Sequence, residues 1–153
     1  WFDGPVALSG SIAHGQSILA AQAMGADFAY IGSAFIATKE ANAVQGYKEN
    51  IVEAKASDIV YSSLFTGVHG NYLRQSIVKA GMDPDNLPEG DSSTMNFGSG
   101  GNTEAKAWKD IWGSGQGIGA VKEVQSVADM VGRLEAEYRA AKARLDGAYR
   151  KGW

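Results

Sequence analysis

Two glycine turns, each followed by serine, carry the residue types best suited to chemistry in this chain. Gly10-Ser11 and Gly32-Ser33 each come just after a short apolar run, and they lie one strand-plus-helix unit apart. Glycine lets a backbone approach a ligand closely, while the adjacent amides and the hydroxyls of Ser11 and Ser33 can donate to an anion. That donor set suits a phosphate monoester. In parallel α/β proteins the ligand face lies at the C-terminal strand ends, and in a barrel of eight such units the last two strands typically bind phosphate. Glycines that only make tight turns would have the same spacing, so spacing alone leaves both readings open.

Several neighbouring groups offer weaker candidates. Gly10-Ser11-Ile12-Ala13-His14-Gly15-Gln16-Ser17 matches the P-loop pattern except that Gln16 replaces its lysine. Glutamine has no charge for a nucleotide's terminal phosphates, which argues against nucleotide hydrolysis. His14 follows the first turn, where it could give a proton or a positive charge to a ligand; a solvated loop histidine is the plainer alternative. His69, between Gly67 and Gly70, has the same two readings. Lys39 and Arg74 are the nearest cationic candidates and read equally well as surface charges. The segment Ser114-Gly115-Gln116-Gly117-Ile118-Gly119 carries one strong bidentate group, Gln116. It either closes over a bound ring or merely connects two elements.

These residues need elements to hold them. Val6-Ala7-Leu8-Ser9 and Phe28-Ala29-Tyr30-Ile31 have the form of strands buried on both faces. Between them, Gly15 to Met24 is rich in helix formers and closes on Gly25. The unit reads as βαβ with parallel strands. Thr38 is expected to cap a helix to about Ala54, with Val44, Tyr47 and Ile51 on one face. Ile59-Val60-Tyr61 is a further extended stretch, and Ser76 to Ala80 a short helix stopped by Gly81. Residues 89–103, dominated by Gly, Ser and Asn, form a loop between residues 1–88 and a helical region at 104–153. In that region Ala105, Trp108, Ile111 and Trp112 predict a one-sided helix closed by Gly113, its tryptophans in the core or an interface. Ser126 with Asp129 resembles a capping box, and an apolar stripe runs from Val127 to about Tyr149.

The composition fits a single soluble domain: 153 residues, 44% hydrophobic, 20% charged, with a formal net charge of -3. That balance gives no reason to expect nucleic acid as a partner. No apolar run is long enough to span a bilayer, so no membrane partner is expected and a cytoplasmic protein is the default. The absence of cysteine excludes disulfides, thiolate nucleophiles and cysteine-ligated metals. Two histidines leave little for a metal site, and none is expected. The opening Trp1-Phe2-Asp3-Gly4-Pro5 lies one turn before a core strand and reads as part of something longer, a trimmed N-terminus being the alternative.

In combination these motifs resemble the nitronate monooxygenases (2-nitropropane dioxygenases), FMN-dependent TIM-barrel enzymes. Leu8-Ser9-Gly10-Ser11-Ile12-Ala13 is similar to that family's Ser-Gly-Gly-Ile-Ala turn after strand seven. Ala23-Met24-Gly25-Ala26-Asp27 is similar to its Leu-Gly-Ala-Asp helix end, and Tyr30-Ile31-Gly32-Ser33-Ala34-Phe35 to its Met-Gly-Thr-Arg-Phe turn after strand eight. Ser114 to Gly119 resembles its late Ala-Gly-Gln-Gly loop.

The resemblance implies an α/β fold made of the last βα units of a TIM (β/α)8 barrel plus a C-terminal helical region. FMN phosphate would be held by Gly10, Ser11, Gly32 and Ser33, with Tyr30 and Ile31 lining the approach and Gln116 near the cofactor. The implied reaction oxidises an alkyl nitronate with O2 to a carbonyl compound and nitrite. The related flavin-dependent enoyl-thioester reductases are one alternative, and a non-catalytic phosphate-binding half-barrel is another. The family's catalytic histidine lies in a Gly-His motif that neither His14 nor His69 matches, so no catalytic residue is assigned. Ser11 also departs from the family's second glycine, tolerably at negative φ and at a cost at positive φ. A partial barrel leaves strand edges and apolar faces exposed, which predicts self-association or a missing N-terminal portion.

Overall fold

The protein is described from a computed structural model, covering residues 2–90 and 110–150. Strand β1 (Ala7–Ser9) leads through helix α1 (Gly15–Ala23) to β2 (Phe28–Tyr30), and the two strands pair in parallel with Leu8 opposite Ala29. The βαβ reading therefore holds. Gly25, at φ +94°, ends α1 in the left-handed region that glycine enters without steric cost. At the start of the ladder the Asp27 carboxylate accepts from the Val6 amide at 2.8 Å.

The next segment departs from expectation. A short helix α2 (Ser33–Ile36) follows β2 directly, and α3 starts only at Gln45 and ends at Glu53. Thr38 does not cap α3. Its hydroxyl donates to the Phe35 carbonyl, and its backbone pairs with Gln125 in an isolated bridge. Ile51 is fully buried while Val44 is 60% exposed, so the predicted apolar face of α3 narrows to Tyr47 and Ile51.

Beyond α3 the chain makes a hairpin rather than another βα unit. Strand β3 (Ile59–Ser62) pairs antiparallel with β4 (Gly70–Leu73), and α4 (Arg74–Lys79) follows at once. The glycines between 63 and 70 thus turn a hairpin. Gly81, at φ +81°, stops α4 as expected.

The C-terminal region is not wholly helical. Trp108 and Ala105 lie outside the described residues. Trp112 is extended, its carbonyl accepting from the Leu73 amide, while the Ser114 amide donates to the Asn71 carbonyl. The stretch around Gly113 therefore runs beside β4 as a short antiparallel partner. A 3-10 turn (Gln116–Ala120) precedes the long helix α5 (Val127–Arg150). Ser126 caps α5 through the Asp129 amide at 3.0 Å, and Asp129 returns a contact to the Ser126 hydroxyl rather than to its amide. The Glu40 carboxylate takes the Val127 amide.

One core joins these pieces. Ala34, Ile51, Leu73, Ile118, Met130 and Leu134 meet in it, with Ile18, Ile31 and Trp112 packed against them. A smaller cluster of Val60, Ile77 and Ile111 lies under the hairpin. On α5 the stripe is buried at Met130, Leu134 and Ala141, but Val131 and Leu145 are about half exposed, so the packed face ends near Ala141. No helix among the described residues is long and apolar enough to cross a membrane.

Candidate functional site

Both glycine turns stand at the C-terminal ends of adjacent parallel strands, so the β1–β2 register brings them side by side. Gly10 has φ +103°, and a methyl added there would meet nothing. Ser11 has φ +53°, which is the costly conformation for a residue with a side chain. Gly32 is exposed at the head of α2, and Ser33 is half-buried.

The third glycine segment packs onto both turns. The Gly115 amide donates to Ser33 Oγ at 2.7 Å. A Cβ on Gly117 would lie 3.4 Å from Ser11 Cα and from Ala13 Cβ, so the segment packs in contact with the first turn. Gln116, between them, is exposed. Behind this segment, Tyr47 and Trp112 stack with centroids 5.1 Å apart, and the Tyr47 hydroxyl donates to the Gly113 carbonyl. Ser114 is buried between these anchors and its hydroxyl has no hydrogen-bond partner among the described residues.

Strand alternation separates the two residues expected to line the approach. Tyr30, 67% exposed, faces the open side of the sheet with Phe28. The Ile31 side chain packs against the main core. Any contribution Ile31 makes to the site is therefore through its backbone.

Arg74 and the two histidines contact other groups, while Lys39 is exposed. His14 Nδ1 lies 3.7 Å from Glu137 of α5. The same carboxylate accepts from the Gly15 amide and from Arg133, each at 2.7 Å. Burial works against ionisation of Glu137, but these donors and the charges of Arg133 and His14 outweigh it and hold its carboxyl below the ordinary range. The N-terminus of α1 thus already has an anion, and this residue carried no distinguishing signal in the sequence. Arg74 makes a two-pronged pair with Asp85, both bonds 2.8 Å. His69 stacks on Tyr61.

A cavity of about 280 Å³ opens beside the hairpin, lined by Tyr61, His69, Asp85 and Glu89 among others. It contains none of the turn residues. At the glycine turns, by contrast, three backbone segments lie together.

A family model for nitronate monooxygenase matches residues 2–137. The chain belongs to the nitronate monooxygenase family. Among curated members, it is 28% identical over 148 residues to a nitronate monooxygenase of Paraburkholderia phytofirmans, covering 92% of this chain and 40% of that one. It is 31% identical over 75 residues to a probable nitronate monooxygenase of Staphylococcus haemolyticus, covering 49% of this chain and 21% of the relative. Among solved structures, FabK (M276A) of Thermotoga maritima matches with a TM-score of 0.67 at 25% identity, over 96% of this chain and 45% of its own. A nitroalkane oxidase of Streptomyces ansochromogenes shares the fold, with a TM-score of 0.64 over 94% of this chain and 42% of its own. The chain spans less than half the length of these relatives.

Proposed function

We propose that this chain supplies the FMN phosphate-binding part of an oxidoreductase of nitronate monooxygenase type, as the last βα units of a (β/α)8 barrel. The observation that carries the reading is the convergence of Gly10-Ser11, Gly32-Ser33 and Gly115–Gly117 at the ends of two parallel strands. The donor chemistry fits a phosphate monoester. Gly10 leaves open space for an anion to approach the backbone. Ser33 Oγ uses one lone pair on the Gly115 amide, so its own proton remains to donate. Family membership supports the flavin.

In this reading Gly10, Ser11, Gly32 and Ser33 hold the phosphate, and the Ser33–Gly115 bond positions Gln116 over the site. Tyr30 lines the open face of the sheet, along which the rest of the cofactor extends. Bound flavin supplies the redox chemistry, taking electrons from an alkyl nitronate and passing them to O2, with a carbonyl compound and nitrite as products. The protein's part is binding, orientation and exclusion of water.

The test is titration of the chain with FMN and with riboflavin, followed by flavin fluorescence. Tighter binding of FMN is expected, and equal or absent binding of both would overturn the reading. Nitronate-dependent O2 uptake with nitrite release tests the activity. NAD(P)H consumption with an enoyl thioester, and none of these changes with a nitronate, would replace it with enoyl-thioester reduction.

A further inference from the structure

We propose that the Ser11 hydroxyl is a specificity element for the phosphate monoester, kept in a strained backbone conformation because ligand binding uses it and folding does not. The inference rests on the phosphate reading above.

Among the described residues Ser11 is the only one other than glycine with positive φ, at +53° directly after Gly10 at +103°. A side chain in this region crowds its own backbone, and glycine would occupy the position freely. Short polar residues sometimes recover the cost through a local hydrogen bond. Ser11 makes none within the described residues, and its side chain is exposed. It therefore contributes no hydrogen bond and no burial to the folded state to set against the strain. An outlier of this kind points to function when it sits at a site.

Its surroundings say which function. The Ser11 backbone lies under Gly117, and the neighbouring Gly115 is bonded to Ser33. Several cations near the turns are committed, His14 and Arg133 to Glu137 and Arg74 to Asp85, while Lys39 is exposed. The turns themselves offer an anion only uncharged N–H and O–H donors, and a hydrogen bond to an ionised group is about twice as strong as a neutral one, so each such donor weighs heavily. Ser33 already accepts one bond, whereas the Ser11 hydroxyl is uncommitted. A ligand without a terminal phosphate would gain nothing from it.

Two substitutions separate hydroxyl from backbone. Ser11→Ala removes the oxygen and keeps the Cβ strain; Ser11→Gly removes both. Each is expected to weaken FMN binding about tenfold or more, the scale of one hydrogen bond to a charged group, while riboflavin binding stays unchanged. In thermal unfolding without ligand, Ser11→Gly is expected to raise Tm by about 1 to 3 °C, because relief of strain exceeds the added unfolded-state freedom, and Ser11→Ala to leave it near the parent value. Parent-like FMN affinity in Ser11→Ala would overturn the hydroxyl's role. A Tm for Ser11→Gly at or below the parent's would overturn the strain. A parent that does not prefer FMN to riboflavin would instead overturn the phosphate reading itself.

Discussion

Gly15 and Glu137 show how much a single residue's surroundings decide here. A Cβ on Gly15 would collide with the Leu134 carbonyl oxygen and the Tyr138 amide nitrogen, backbone atoms of α5 that cannot move aside. Gly15→Ala is therefore expected to destabilise the chain by about 3 kcal/mol or more, the upper range for overpacking, read as a fall in the midpoint of denaturant unfolding. Glu137 sits at the same crossing with both carboxylate oxygens bonded. Its folded pKa lies below its unfolded value, so its stabilisation is present above about pH 4.5 and is lost as pH falls through the lowered folded value. Glu137→Gln is expected to cost about 1 kcal/mol at neutral pH, with the gap to the parent closing as the pH falls below that range; a gap independent of pH would contradict the assignment.

At the scale of elements, the Gly115–Gly117 segment is clamped to α2 by one serine and backed by an aromatic stack. Ser33→Ala removes the acceptor for the Gly115 amide. Hydrogen exchange at that amide should quicken by about fivefold to tenfold, the equivalent of one ordinary hydrogen bond, with little change at Ile118 in the core. Helix α5 offers a paired comparison. Met130 is fully buried and Leu145 is 51% exposed, although both lie on the same sequence stripe. Met130→Ala is expected to cost about 2 to 5 kcal/mol and Leu145→Ala less than about 0.5, measured by chemical denaturation.

Across the whole molecule, the parallel pair β1–β2 has an open apolar side. Val6, Phe28 and Tyr30 are 45%, 62% and 67% exposed, and among the described residues neither strand has a second neighbour. Exposed apolar faces and unpaired edges favour association. Light scattering is expected to show a mass that rises with concentration, and Phe28→Lys to reduce it. A monodisperse monomer across the concentration range would count against this expectation.

The local motifs were legible in the sequence because they depend on neighbours along the chain. The βαβ unit follows from two apolar runs flanking a glycine-closed helix, and the Ser126 cap from a serine three residues before an aspartate. The resemblance to nitronate monooxygenases rested on the same short-range patterns in order. Where partners come from far along the chain, sequence had less to offer. Thr38 looks like a helix cap but pairs with Gln125, and Trp112 looks helical but runs beside β4. Arg133–Glu137 has the same spacing as the exposed pairs Glu135–Arg139 and Lys142–Asp146, and only its contact with Gly15 sets it apart. The same division runs through the site. Sequence by itself determined that Gly10-Ser11 and Gly32-Ser33 end adjacent strands. Only tertiary structure decided that Gly115 and Gly117 close onto them, that Glu137 occupies the nearby helix end, and that Ser11 bears a positive φ, since each depends on packing between segments that no local pattern encodes.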